Sequence, residues 1–228
     1  MAKKLDLSII MPCLNEERTI GDCIKEANSY VRRAGLRAEV IVVDNNSTDK
    51  SVSIAKKQGA RVVKEEQRGY GSALRAGLQA AQGEVIIMGD CDMTYDFSNL
   101  DEMYNALQKY DMVIGDRFKG GIEKGAMPWS HHVGVKGLSQ IARIRYGSKV
   151  RDFHCGLRGV RKDALSKMKL KTTGMEFATE MIAEATRKDL DVGQVPVALR
   201  NSVKGRRPKL NTIRDGFRHL WFILFKYV

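Results

Sequence analysis

The strongest constraint on this chain is an alternation. Short apolar runs stand at Leu7-Ser-Ile-Ile-Met-Pro12, Ala38-Glu-Val-Ile-Val-Val43, Arg61-Val-Val63, Val85-Ile-Ile-Met88 and Met112-Val-Ile114. Runs this short and continuous read as buried strands. Between them lie stretches with helical signals. Thr19 is placed to cap a helix reaching about Ala34, with Gly35 as its stop. Ser47 or Thr48 is placed to cap a helix from Ser51 to Gln58. Ser72–Ala81 and Leu100–Lys109 read as the next two helices. Strands alternating with helices imply βαβ units, hence an α/β fold with a mostly parallel, Rossmann-like sheet and helices on both faces.

In such sheets ligands bind outside the carboxyl ends of the strands. Every unusual cluster in the first half follows a strand: Pro12–Glu16, Asp44–Asp49, Arg68–Gly71, Asp90–Asp92 and Arg117. These loops are expected to converge on one rim. Asp90 and Asp92 stand at spacing two after Val85–Met88 and Gly89. Two carboxylates this close repel unless a cation sits beside them. A hard divalent ion, held by one or two carboxylates plus substrate phosphates, is the usual solution. An isolated D-x-D is a weak motif, and two solvated acids are its bland alternative. The agreement in position among the loops favours a site.

The remainder is less regular. Gly120–Pro128 is a glycine-rich loop able to cover the site. Gly134–Ile144 reads as a helix, Asp152–Arg158 as a strand or extended segment, Phe177–Lys188 as a helix and Val192–Ala198 as the last strand. The boundary of the main domain falls near residue 210, giving 1–210 as the catalytic unit and 211–228 as a C-terminal helix. Residues 200–228 hold eight basic side chains against one acid, Asp215. In the helix, Ile213, Phe217, Leu220, Trp221, Leu224 and Val228 recur at helical spacing beside Arg214 and Arg218. Such a helix suits a membrane interface, helped by anionic lipid, or docking onto the protein itself.

Composition narrows the class. The net charge of +12 calls for an anionic partner, whether nucleic acid, membrane surface or phosphorylated substrate. Nucleic-acid readers interleave aromatic platforms with their basic residues, whereas Phe217, Trp221, Phe222 and Phe225 sit in an apolar helical run, so nucleic acid is not expected. The four cysteines form no C-x-x-C pair, against a zinc site or disulfide framework and for a reducing cytosol. No run of eighteen apolar residues spans a membrane, and the N-terminus lacks a signal-peptide core.

Several motifs in this order resemble family 2 of the inverting glycosyltransferases, which have the GT-A nucleotide-diphospho-sugar transferase fold. They are Ile-Met-Pro-Cys-Leu-Asn-Glu16, Val-Val-Asp44-Asn-Asn-Ser-Thr-Asp49, Arg68-Gly-Tyr-Gly-Ser-Ala-Leu-Arg-Ala-Gly77 and Gly-Asp90-Cys-Asp92. Gly115-Asp-Arg117-Phe and Asp152-Phe-His-Cys-Gly-Leu-Arg158 are most similar to the polyprenyl-phosphate (dolichol-phosphate) mannosyl- and glucosyltransferases. The resemblance implies a metal-dependent hexosyltransferase. Its donor would be UDP-glucose or GDP-mannose, its acceptor a polyprenyl phosphate, its cofactor Mg2+ or Mn2+.

The resemblance also implies roles. Asp92 is the metal ligand, with Asp90 contacting the ribose or sharing the metal. Pro12, Asn15, Glu16, Asp44, Asn46, Arg68, Gly71 and Cys91 line the nucleotide-sugar pocket. Arg117 contacts the acceptor phosphate, with His131, Arg158, Lys204, Arg206 and Arg207 as further partners. Glu176 stands where base-using relatives carry a catalytic acid, and it serves either as a base or to orient Arg158 or the sugar. The family commonly has two adjacent aspartates where this chain has Asp44-Asn45. Many relatives continue into transmembrane helices. The expected location is therefore peripheral, at the cytoplasmic face of a membrane, with a homo-oligomer left open. Transfer to a hydroxyl acceptor is the close alternative, and a non-enzymatic polyanion binder the remote one.

Overall fold

The structure is a computed structural model and describes residues 4–203 and 212–226. In chain order the elements are β1 (Leu7–Cys13), α1 (Ile20–Ala34), β2 (Ala38–Asp44), α2 (Ser51–Lys57), β3 (Arg61–Lys64), α3 (Tyr70–Ala80), β4 (Val85–Met88), α4 (Asp101–Ala106), β5 (Met112–Asp116), α5 (Arg117–Gly120), α6 (Trp129–Tyr146), β6 (Arg158–Arg161), α7 (Lys162–Lys167), α8 (Phe177–Arg187), β7 (Val192–Pro196) and α9 (Thr212–Trp221). The last helix continues as a π-helical turn, Phe222–Lys226.

The sheet order is β3-β2-β1-β4-β6-β5-β7. All pairings are parallel except those of β6, which runs antiparallel between β4 and β5. From β1 the chain steps outward to β2 and β3, then crosses back to β4 on the other side of β1. Right-handed crossovers in opposite directions place their helices on opposite faces. Thus α1 and α2 pack together on one face, and α3 covers β1 and β2 on the other. The reversal between β1 and β4 is a topological switch point, where open α/β sheets bind ligands. The strands that meet there are buried throughout, from Leu7 to Met11 and from Ile86 to Met88.

Most expected elements form, with shifted ends. Gly35 stops α1 in the left-handed conformation, φ 64°. The expected caps of α2 are not its caps. Asp49 Oδ1 accepts the Ser51 N–H at 2.9 Å, while Ser47 Oγ accepts from Asn15 N at 3.0 Å. Helix α6 begins at Trp129, earlier than Gly134, because Pro128 sits at its N-cap with φ −59°. Only Arg158 onward joins the sheet, as β6. The preceding Asp152–Leu157 returns along the rim, so β6 enters from that end and must run antiparallel. The Gly120–Pro128 loop is tied down: Ile122 bridges to Leu199, and Glu123 accepts from Asn201 N at 2.8 Å.

The C-terminal helix docks on the protein by a face other than its apolar stripe. His219, Phe222 and Ile223 are buried, while Phe217, Trp221, Leu224 and Phe225 are exposed. Tyr146 of α6 donates to the Ile223 carbonyl at 3.5 Å. No helix among the described residues is long and apolar enough to cross a membrane.

Candidate active site

The rim at the switch point is stitched from backbone-directed polar side chains. Asn15, at φ 52°, accepts the Thr48 N–H on Oδ1 at 2.7 Å. Glu16 N donates to Ser51 Oγ at 2.8 Å, and Glu17 N to Asp49 Oδ2 at 3.0 Å. Together these lock the loop after β1 onto the loop after β2. The β1–β2 register sets Cys13 beside Asp44, and Asp44 Oδ1 accepts from Ser47 N at 3.0 Å. Glu16 and Asp44 are both largely buried at this edge.

Asn45 explains its own presence. Its amide nitrogen donates to the carbonyls of Glu65 and Gln67, each at 2.9 Å. Its amide oxygen accepts from Gly69 N at 2.8 Å. An aspartate has no donor for the two carbonyls. Asn45 therefore holds together the loops after β2 and β3 and the start of α3. Asn46, at φ 70°, donates to Glu66 O at 2.9 Å.

Arg68 is exposed beside this rim. The glycines after it serve a packing purpose. A Cβ on Gly69 would collide with the Thr173 carbonyl, and one on Gly71 would lie 2.6 Å from the Thr172 carbonyl. Ser72 N donates to Thr173 O at 3.2 Å. The Arg68–Gly71 turn thus seats the start of α3 against Thr172–Gly174, the segment leading to Glu176.

Asp92 is largely buried. Its Oδ1 accepts from Thr94 N at 3.1 Å and from the Thr94 hydroxyl. Tyr70 hydrogen-bonds to the Asp90 side chain, and burial first, then the Asp90 charge, push the phenol well above its usual value. Cys91 turns inward: its Sγ lies 3.1 Å from the Pro12 carbonyl, so its side chain does not face a ligand as expected. Among the described residues no group of three or more His, Cys, Asp and Glu side chains is arranged to hold a metal. A cation at Asp90 and Asp92 would complete its shell with substrate oxygens and water. That pattern, few carboxylates plus phosphates, suits Mg2+ and is open to Mn2+.

On the far side of β4 the cations are internally engaged. Arg117 and Asp152 form a buried bidentate pair, Nε–Oδ2 2.7 Å and Nη2–Oδ1 2.8 Å. Asp152 is fully buried. Sequence reasoning quoted Asp152 in a motif but gave it no role, because the partners are 35 residues apart. The pair leaves Arg117 its Nη1 group and the second Nη2 N–H for a phosphate. Arg158 contradicts expectation outright. It is fully buried and donates to the carbonyls of Cys155, Ala178 and Phe153 at 3.1, 2.8 and 3.2 Å. It ties the rim segment to α8, and four of its five N–H donors are spent on those carbonyls.

His131 lies half-buried near this pair; burial, then the Arg117 charge, lower its pKa. Burial, then His219 and Arg117, push His154 well below the usual imidazole value. The His154 and His219 rings meet edge to face at 4.6 Å, and Thr179 Oγ1 lies 3.0 Å from His219 Nδ1. Glu176 Oε1 accepts from Arg218 at 2.9 Å, while its Oε2 is buried without a partner. Glu176 therefore pairs with α9 and not with Arg158. Lys204, Arg206 and Arg207 lie outside the described residues. The segment before them runs beside the D-x-D loop, with Arg200 N donating to Thr94 O at 2.9 Å.

This site and fold define a sugar-nucleotide transferase of the GT-A class, and residues 8–169 match the glycosyl transferase family 2 profile. The chain belongs to that family. It is 38% identical to the low-salt glycan biosynthesis hexosyltransferase Agl6 of Haloferax volcanii over 96% of its length, though it spans only 53% of that relative. It is 32% identical to the dolichyl-phosphate hexose transferase of the same organism, covering 92% of this chain and 89% of the relative. Among solved structures, glucosyl-3-phosphoglycerate synthase from Mycobacterium tuberculosis, with Mn2+, UDP and glucosyl-3-phosphoglycerate, superposes with TM-score 0.75 at 22% identity. That match covers 96% of this chain and 79–80% of such chains, and supports the fold.

Proposed function

We propose that the protein transfers a hexose, glucose or mannose, from a nucleotide-diphosphate sugar to a polyprenyl phosphate, with inversion. The observation that carries the reading is the division of the rim at the switch point. Carboxylates and stapled loops lie on the β1–β4 side, and the buried Arg117 with His131 and His154 on the β5–β6 side. The likeness to a dolichyl-phosphate hexose transferase supports the lipid phosphate as acceptor.

The nucleotide lies along Pro12–Glu16, Asp44 and Asn46, with Arg68 near the diphosphate. A magnesium or manganese ion held by Asp92 and Asp90 would neutralise the departing nucleoside diphosphate as a Lewis acid. A phosphate monoester is already ionised near neutral pH, so its oxygen attacks the sugar carbon without a base. It needs cations to bring one anion up to another. Arg117, oriented by Asp152, offers Nη1, His131 lies beside it, and Lys204, Arg206 and Arg207 supply the remaining charge. Positioning of the two reactants then provides most of the acceleration.

The unpartnered Oε2 of Glu176 favours one second reading, a base that activates a hydroxyl acceptor. The test is a matrix of labelled nucleotide sugars against acceptors, with and without polyprenyl phosphate, scored for lipid-extractable product. Product only with the lipid phosphate is expected. Transfer to a free alcohol at comparable rate moves the assignment to the second reading.

A further inference from the structure

A cavity of about 490 Å³ lies between α5 and α6. Lys119, Lys136, Arg143 and Arg151 line it, with Asp116, Phe118 and Gln140. Asp116 is the one acid, and it is already engaged as the cap of α5, accepting from Lys119 N at 3.0 Å. No carboxylate among the described residues pairs with any of the four cations. The Lys136 ammonium sits 4.9 Å from the Phe118 ring centre, which gives the cavity an apolar wall. Arg143 Nη1 donates to Gln140 Oε1 at 3.2 Å, and its Nε is buried with no hydrogen-bond partner. A guanidinium with one neutral side-chain partner keeps most of its charge for an anion in the cavity.

The neighbouring surface indicates what carries that anion. Trp129, Val133, Ile141 and Ile144 lie on one stripe of α6, and the stripe faces solvent: Trp129 is 79% and Ile144 76% exposed. An amphipathic helix normally turns its apolar stripe inward. Lys136 and Gln140 stand at helical neighbour spacing from Val133 and Ile144, and Arg143 stands at that spacing from Gln140. The exposed apolar residues Phe217, Trp221, Leu224 and Phe225 belong to the C-terminal helix, which packs on α6. A free phosphate would have no use for the apolar border, and an acidic protein segment would leave Trp129 in water. An anionic lipid satisfies both parts, its acyl region under the stripe and its phosphate in the pocket.

We infer that the α5–α6 pocket binds the phosphate of an anionic membrane lipid, and that the stripe of α6 enters the bilayer interface beside it. The site is separate from the proposed acceptor position at Arg117, whose guanidinium faces Asp152. It docks the protein on a membrane and does not present a substrate. The inference extends the membrane-surface reading, but its test needs no catalysis.

The experiment is vesicle flotation of the full chain on phosphatidylcholine alone and on phosphatidylcholine with phosphatidylglycerol. The variants are Lys136→Gln with Arg143→Gln, and Trp129→Ser with Ile144→Ser, each checked for an unchanged melting temperature. Wild type should float on the anionic vesicles and weakly on the neutral ones. The charge variant should bind the anionic vesicles roughly tenfold or more weakly, and the apolar variant should lose binding to both. Equal flotation of wild type and the charge variant overturns the proposal. So does thermal stabilisation by inorganic phosphate, lost in the charge variant, without any flotation, which makes this a free-phosphate site. Self-association through Trp129 without flotation makes the face a protein interface instead. Loss of transfer to a short, water-soluble polyprenyl phosphate in the charge variant would place the acceptor itself in the pocket.

Discussion

The β1–β4 side of the rim and the β5–α9 side are built by different means. On the first, adjacent loops hold each other through side chain to backbone hydrogen bonds, Asn15 to Thr48 and Asn45 to Gly69, and the D-x-D loop holds itself through Asp92 to Thr94. On the second, the polar groups pair through space across long stretches of chain: Arg117 with Asp152, Glu176 with Arg218, His154 with His219. The first side can be complete before a ligand arrives. The second is closed partly by the C-terminal helix, so its shape depends on how that helix sits. A pocket stapled by its own loops beside one closed by a docked helix fits the proposed pairing of a soluble donor with a membrane-borne acceptor.

The largest effect should come from the donor side. Asp92→Asn keeps the oxygen that accepts from Thr94, so melting should change little. Transfer should fall by roughly 10²–10³, the scale of losing a key electrostatic contact to developing charge. Full activity of this variant in chelator would break the donor assignment. On the other side, Asp152→Ala strands Arg117 as a buried charge. It should destabilise by about 3–5 kcal/mol, measured by denaturant unfolding, since that is the usual cost of removing one partner. A loss under ~1 kcal/mol, in the range of an exposed pair, would show that Arg117 is solvated.

Asn45→Asp sharpens the comparison at smaller scale. It places a carboxylate against two carbonyl oxygens that now lack a donor, at a cost of about 1–3 kcal/mol. The same change in Asn46 should cost less, because its amide is less buried. The smallest effect is on pH. His154 is held below the ordinary imidazole value of 6.5. The unfolded chain therefore takes up a proton first as pH falls, and stability declines below about that pH. His154→Gln should flatten this part of the melting temperature against pH. An unchanged slope would mean that folding does not shift the His154 pKa.

How far the sequence could be read follows from the same contrast. The strands from β1 to β5, the rim where their loops converge and the D-x-D loop were legible because periodicity and local turn chemistry act over a few residues. The role of Asn45 was not. It appeared only as a missing aspartate, because its three partners lie 20 to 24 residues away. Arg158 looked like a phosphate ligand because arginine is seldom buried, and only the carbonyls of Phe153, Cys155 and Ala178 explain why it is buried here. The antiparallel entry of β6 depended on where the preceding segment ran. The apolar residues of the C-terminal helix were visible from spacing, yet the docking face is formed by His219, Phe222 and Ile223, a second stripe at helical spacing that only the tertiary packing selects.

The claim on which the account turns is that the acceptor is an ionised phosphate attacked without a base. The most direct measurement is kcat for polyprenyl phosphate in Glu176→Gln, at saturating donor and near neutral pH. The account predicts a modest fall, several-fold at most, as Glu176 then serves to hold Arg218 and the sugar. A fall of about 10²–10⁴, the usual cost of removing a general base, would contradict it.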